Sequence, residues 1–356
     1  MTRSFLAPGR VNLIGEHTDY SGGLVLPAAI ELGIRLDAEP AERIALRSDS
    51  GQPIDLAADG SEPGDGWGRY VAAVAAELDA LGRPPVGLSG TVTSDLPQGA
   101  GLSSSAALEV VAGLALCAVA ELPLDPLDLA RAAQRAELRA VGVPCGIMDQ
   151  AVSLLGVAGH AVLVDTATLD HEPVPLPGGH VLLVVDSGVS HALEGGEYAL
   201  RRAELERATG GADIGDLTVE EAERLVAERG VDDVAARRLR HVVTENARVR
   251  QVVAALRADP PDLAALGRLF REGHDSLRDD FEISTPELDL LVDLAYAHGA
   301  VAARMTGGGF GGSIVALVAT ERADEVAAAV RSAYRERTGI DARAFTTRAA
   351  QGAREL

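Results

Sequence analysis

The chain contains no lysine; all 32 of its Lys+Arg positions are arginine. That excludes a Walker A phosphate loop, whose Gly-Lys-Ser/Thr supplies the lysine, and the strand lysine of protein kinases. It excludes a Schiff-base lysine as well. An anion bound here must be held by backbone amides, hydroxyls, arginine or a metal ion. Cysteine is nearly absent too: Cys117 and Cys145 are too few for a disulfide scaffold. Cys117 falls in an apolar helical stretch and reads as packing. The single tryptophan, Trp67, reads as a packing anchor rather than a base-stacking platform. No apolar run approaches the ~18 residues of a membrane helix. Met1–Pro8 carries one arginine and no apolar segment, so it is not read as a signal peptide. Positive charge is in deficit, with a net charge of −21. Such a field argues against nucleic-acid and anionic-membrane partners, but not against a nucleotide, which needs only local positive potential. The expectation is a cytoplasmic protein.

What is present centres on Gly99-Ala100-Gly101-Leu102-Ser103-Ser104-Ser105-Ala106-Ala107. Glycines let a backbone turn tightly and approach a ligand. The serines offer N-cap oxygens and hydroxyl ligands. A strand-like stretch precedes the loop, with Leu88, Gly90, Val92 and Ser94 on one face and Thr91 and Thr93 on the other. An apolar helix follows from Ala106 to Ala120, with Gly113 as its weak point. Strand, glycine loop and serine-rich helix start together suit a phosphate, through free N–H groups and the helix dipole.

At 356 residues the chain suggests two domains, each with its own core. Phe5–Ile14 reads as a strand running into a polar turn of Glu16, His17, Thr18 and Asp19, broken by Ser21-Gly22-Gly23. Leu24–Leu36 resumes the strand pattern. Three readings of the turn stay open: a solvated hairpin, a metal site, or sugar binding, since carboxylates accept hydrogen bonds from vicinal hydroxyls. Trp67 and Tyr70 lead into an amphipathic helix through Leu81. A helix over Leu127–Val141 carries Glu137, either on a solvated face or as a ligand. Pro144-Cys145-Gly146 turns into an apolar helix, Ala151 to Val157. Asp149 precedes it as a cap or as a buried group kept for chemistry. His180–Ser187 is apolar enough for a central strand. Gly195-Gly196 opens an arginine-rich helix that carries Tyr198. Thr218 and Glu221 form a capping box, and Thr285-Pro286 reads as N-cap and N1. Gly307–Gly312 fits G-x-G-x-x-G, but the strand-like Ile314–Ala319 follows where a dinucleotide site needs a helix. A glycine-rich turn between two extended segments fits better.

Gly99–Ala107 resembles the second motif of the GHMP small-molecule kinases. Gly9-Arg10-Val11-Asn12-Leu13-Ile14-Gly15-Glu16-His17-Thr18-Asp19-Tyr20 resembles the signature of the galactokinase branch of that family. Arg304-Met305-Thr306-Gly307-Gly308-Gly309-Phe310-Gly311-Gly312 is similar to the third family motif. Cys145-Gly146-Ile147-Met148-Asp149-Gln150 and Ser276-Leu277-Arg278-Asp279-Asp280 also match. The matches follow family order and span nearly the whole chain. Departures are Ser21 in place of the usual asparagine, Ser313 where cysteine is frequent, and Ala302-Ala303. Ser21 should perturb the turn more than the chemistry, and neither of the other two removes a charge or donor that the mechanism requires.

The resemblance implies an α/β (α+β) fold of two domains, residues 1–175 and 176–356, with the active site in the cleft between them. It implies ATP-dependent phosphorylation of the anomeric hydroxyl of galactose, in galactose metabolism. Asp149 and Arg10 are then catalytic. Glu16, His17, Thr18, Asp19, Asp149 and Tyr198 contact the sugar. Gly99, Ala100, Gly101, Leu102, Ser103, Ser104 and Ser105 bind ATP. Ser105 and Glu137 hold Mg²⁺. The partners are a small sugar and a nucleotide, and a monomer is expected. Rival substrates are arabinose, a uronic acid and N-acetylgalactosamine. A non-catalytic galactose sensor is disfavoured, because Ala106-Ala107 and Asp149 are present.

Overall fold

The computed structural model describes residues 1–49, 51–97, 99–142, 144–190, 196–212 and 214–356. Gly195, expected to open a helix, lies outside them. In chain order the first half contains β1 (Arg3–Asn12), β2 (Leu24–Val25), β3 (Pro27–Ala41), β4 (Arg43–Ser48) and β5 (Ile54–Ala57). Then come α1 (Gly68–Ala80), β6 (Gly87–Ser94), α2 (Ser104–Val119), α3 (Pro126–Val141), α4 (Met148–Leu155), β7 (His160–Asp165) and β8 (His171–Pro175). Alternating burial along β3 and β4 marks strands with one face on a core. They build a six-stranded sheet in the order β13-β1-β3-β6-β4-β5, where β13 is Arg354–Glu355. Among the described residues only its β4–β6 pair is parallel. The chain's last strand thus returns to the first sheet, pairing Glu355 with Phe5.

Helix α2 is apolar all round and lies against the sheet among α1, α3 and α4. Gly113, the expected weak point, has a packing reason: a Cβ there would lie 2.6 Å from Cδ1 of Leu129 on α3. The helix expected from Ala151 begins earlier, at Met148. Asp149 therefore lies inside its first turn, where a carboxylate suits the dipole.

The second half contains β9 (His180–Ser190), α5 (Gly196–Thr209), α6 (Val219–Arg229), α7 (Asp233–Arg257), α8 (Leu263–Asp279) and α9 (Pro286–Ala297). It continues with β10 (Ala302–Thr306), β11 (Gly311–Ala319), α10 (Ala323–Thr338) and β12 (Arg343–Thr347). An antiparallel sheet runs β10-β11-β9-β12. The capping box at Thr218 and Glu221 forms, and Thr285 caps α9 with proline at its start. Gly307–Gly312 joins β10 to β11, two paired antiparallel strands. No helix follows, so a dinucleotide fold is excluded. Among the described residues no helix is long and apolar enough to cross a membrane.

A β-bulge between Pro8 and Arg10 brings β1 against the glycine loop. At Gly9 a Cβ would lie 2.7 Å from the Leu102 carbonyl oxygen. Only glycine lets the loop of Gly99–Ser105 lie this close to β1. We expect Gly113→Leu to overpack the α2–α3 contact and cost about 1–3 kcal/mol of stability. Urea unfolding checks this; an unchanged midpoint would show that Leu129 can move aside.

Candidate active site

Arg10 is the residue at which three sequence motifs meet. It leaves the bulge pointing inward and is 5% exposed. Its Nε and Nη2 donate to Oδ1 and Oδ2 of Asp149 at 2.7 and 2.8 Å. Its Nη1 donates to the Gly101 carbonyl at 2.6 Å. A planar guanidinium can make this two-bonded grip and hold a third acceptor; an ammonium cannot. Asp149 accepts one more bond, from the hydroxyl of Ser103.

Ser103 is the N-cap residue of α2, yet its side chain makes no cap bond. Of the three serines expected to offer N-cap oxygens, the one at the N-cap position does not use its hydroxyl in that way. With φ 59° its backbone is left-handed, and its hydroxyl reaches Asp149 instead of the first-turn N–H groups. Those groups therefore receive no cap from Ser103 and suit an anion. The loop's carbonyls face protein: Ala100 accepts from Ser313 Oγ at 2.7 Å, and Leu102 accepts the Arg10 N–H at 3.2 Å. Ala100 and Leu102 are buried side chains that anchor the loop. Gly99 and Gly101 supply its turns at φ 73° and 72°.

On α2 the Ser105 hydroxyl donates to Glu137 Oε1 at 2.8 Å. Glu137 Oε2 accepts from the Gln150 amide at 2.7 Å and from the Cys145 thiol at 3.2 Å. Gln150 also donates to Glu109 at 3.0 Å. Burial, reinforced by Glu137, pushes the Glu109 carboxyl up to about 10, so it is neutral at pH 7. Among the described residues no cluster of three or more His, Cys, Asp or Glu forms a metal cage. Ser105 and Glu137 still offer adjacent hard oxygens. A pair of that kind fits Mg²⁺, which takes few protein ligands and fills its sphere with phosphate oxygens and water.

Next to Asp149 lies a cavity of about 280 Å³, lined by Arg10, Glu16, His17, Asp19, Asp149 and Tyr198 among others. Glu16 is buried; Arg304 Nη2 donates to its Oε2 at 2.5 Å, and its Oε1 has no partner among the described residues. Burial pushes the Glu16 carboxyl up to about 7, with Arg304 opposing. Asp19 rises likewise to about 7, through burial and then the neighbouring Asp149. Its carboxylate lies against Gly146, where a Cβ would overlap it, so any larger residue there must displace Asp19. His17 has φ 62°, and its ring centroid lies 4.7 Å from Phe281 and 5.1 Å from Tyr198. Its Nε2 donates to the Gly308 carbonyl at 3.2 Å, which leaves Nδ1 to accept from the Tyr20 hydroxyl at 2.9 Å. Burial lowers its pKa to about 4, so the ring is neutral. Thr18 stands apart. Its hydroxyl is turned to the Gly15 and Leu24 carbonyls at 2.9 and 2.7 Å, closing the turn behind the cavity wall.

Two residues that shape this site do not stand out in the sequence. Gly146 reads there only as part of a turn. Glu245 lies on the buried side of α7 with Val242 and Val249; a carboxylate at an apolar helical position is the signal that could have found it.

Three family models match the chain: the GHMP kinases N terminal domain over residues 69–157, the galactokinase galactose-binding signature over 3–40, and the GHMP kinases C terminal over 252–336. The Methanococcus jannaschii mevalonate kinase is a structural neighbour at 19% identity, with 99% of this chain and 98% of that one covered and a TM-score of 0.69. The L. major mevalonate kinase, in complex with R-mevalonate, matches at 21% identity, 98% and 96% coverage and a TM-score of 0.65. At such identities the likeness defines the fold class, the two-domain GHMP kinase fold. The Lactococcus lactis galactokinase, solved in complex with galactose, is 32% identical over 100% of this chain and 95% of that one, with a TM-score of 0.94. The chain belongs to the galactokinase family of the GHMP kinases.

Gly146→Ala should displace the Asp19 carboxylate while leaving the phosphate loop intact. Calorimetry is expected to show at least ~10-fold weaker sugar binding with nucleotide binding unchanged, as for loss of a charged hydrogen-bond acceptor. Undiminished sugar affinity would mean that Asp19 has no part in it.

Proposed function

We propose that the protein transfers the γ-phosphoryl group of ATP to the anomeric hydroxyl of α-D-galactose, giving galactose 1-phosphate and ADP. One observation carries the reading: the Arg10–Asp149 grip lies where the acidic cavity meets the glycine loop. The reading takes the enzyme as a cytoplasmic monomer, working where ATP is supplied.

In the reaction the sugar occupies the cavity with its C1 hydroxyl donating to Asp149. Glu16 and Asp19 accept from ring hydroxyls, and Tyr198 and neutral His17 wall the sugar in. A site built to bond hydroxyls rejects sugars whose hydroxyls are missing or inverted, because a buried acceptor is then left unpaired. The triphosphate lies over the start of α2, against backbone N–H groups of the loop of Gly99 to Ser105. As the bond from O1 to the γ-phosphorus forms, the O1 proton passes to Asp149. The bond from that phosphorus to the bridging oxygen breaks, and its electrons leave on ADP. Arg10 holds Asp149 in line and offsets the negative charge spreading over the phosphoryl oxygens. Ser105 and Glu137 would hold Mg²⁺, which when bound neutralises phosphate charge that no lysine is present to neutralise.

Three outcomes are expected. Across galactose, arabinose, galacturonate and N-acetylgalactosamine, ADP release should give galactose the highest kcat/KM; a higher value for another sugar overturns the substrate. Asp149→Asn keeps the shape but cannot take the proton. It should fold, bind both substrates and turn over at least ~100-fold more slowly. Near wild-type turnover at saturating substrates would remove Asp149 from the chemistry. Glu137→Gln should raise the Mg²⁺ concentration for half-maximal activity, and an unshifted titration would contradict the metal assignment.

A further inference from the structure

Behind the cavity two carboxylates share one buried arginine. Arg304 on β10 is 0% exposed, and its Nη2 donates to Glu16 Oε2 at 2.5 Å and to Glu245 Oε1 at 2.7 Å. Glu245, on α7, is as deeply buried. It accepts two more bonds, from the Gly15 N–H at 3.0 Å and from Arg248 Nε at 2.8 Å. Glu245 therefore grips the polar turn twice: through the backbone just before Glu16, and through Arg304 to the Glu16 side chain. One helical turn earlier, on the same face, His241 Nε2 lies 3.2 Å from the Glu16 carbonyl. Gly273 on α8 makes room for the guanidinium, since a Cβ there would lie 2.5 Å from Arg304 Nη1. Gly15 has φ 100°, which fixes the direction of the amide that Glu245 receives.

The contrast with Arg10 is informative. Arg10 places Nε and Nη2 on the two oxygens of one carboxylate. Arg304 does not: its Nε and Nη1 are buried and make no hydrogen bond among the described residues. Only Nη2 touches Glu16, and Glu245 claims that same nitrogen. As a result Glu16, which lines the cavity, has one oxygen tied and the other, Oε1, buried with no partner among the described residues. Without the charge on Glu245, the arginine would be free to turn its fork onto both Glu16 oxygens. The free acceptor on this cavity-lining residue would then be lost.

We propose that Glu245 is a positioning residue for sugar recognition: by sharing Arg304 and holding the Gly15 amide, it keeps Glu16 Oε1 free to accept a sugar hydroxyl. The inference rests on the reading of that cavity as the galactose site. It assigns to α7, far along the sequence from the sugar motif, control over sugar affinity.

The test is a double-mutant cycle on the full chain with Glu16→Gln, Glu245→Gln and the double variant, reading the KM values for galactose and ATP, kcat and the thermal midpoint. Glu245→Gln should raise the galactose KM at least ~10-fold while ATP KM and kcat stay within about threefold, as for a lost hydrogen bond to a charged group. In the Glu16→Gln background the same change should alter the galactose KM by less than about threefold, because the residue acts through Glu16. The proposal is overturned if Glu245→Gln leaves the galactose KM unchanged. It is equally overturned if the KM rises by the same factor in both backgrounds, which would mark a structural role alone. If Glu16→Gln itself leaves the galactose KM unchanged, the failure lies in the reading of the sugar site beneath it. Should Glu245→Gln not fold, Glu245→Asp keeps the charge but shortens the reach, and the same comparison decides.

Discussion

The grip of Arg10 on Asp149 is the contact on which the site depends. It joins β1, the start of α4 and, through the Gly101 carbonyl, the glycine loop. Each of the three has its own reason to be where it is: a bulge, a helix first turn and a left-handed loop. None of them alone would set the Asp149 carboxylate beside the glycine loop. The guanidinium does so because its donors lie in one rigid plane. Removing either partner would leave the other charge uncompensated in a largely buried site, which proteins tolerate poorly.

A second constraint is electrostatic. A chain of net charge −21 must host a triphosphate beside several carboxyls. Burial resolves part of the conflict by holding Glu16 and Asp19 up to about 7 and Glu109 up to about 10. Folding carries a cost for this. A carboxyl whose pKa is raised in the folded chain favours folding at low pH, and that contribution is lost as pH rises through the folded value. For Glu16 and Asp19 the loss runs from their ordinary values, 4.5 and 3.8, up to about 7, so these buried carboxyls lower stability at neutral pH. The Glu245–Arg304 contact answers the same shortage of positive charge, since one arginine serves two carboxylates.

Much of this was legible in the sequence where the cause is local. Glycines at 99 and 101, the cap at Thr218 and the proline at 286 act over a few residues, and each did what its chemistry dictates. The β-turn-β character of Gly307–Gly312 followed from the strand-like Ile314–Ala319 after it. Other features depend on partners far away in the chain. Ser103 gives up its capping role only because Asp149, 46 residues on, comes within reach. Thr18 turned inward because the Gly15 and Leu24 carbonyls needed a donor, which a list of polar residues in one turn cannot reveal. Glu245 meets Gly15 across 230 residues. The return of β13 to pair with β1 spans nearly the whole chain and is carried by two residues. Helix α4 began at Met148 rather than Ala151 because the carboxylate of Asp149 suits a first turn, which the apolar pattern alone obscured.

The central claim is a direct, in-line transfer from ATP to a sugar hydroxyl that the Arg10–Asp149 pair holds in place, with no covalent intermediate on Asp149. Its most direct test is the stereochemical course at phosphorus. ATP made chiral at the γ-phosphorus with oxygen isotopes is turned over with galactose, and the configuration of the sugar phosphate is read by phosphorus NMR. A single displacement predicts inversion. Retention would require two displacements, and so a phosphorylated enzyme, and would contradict the role of Asp149 as the group that takes the O1 proton.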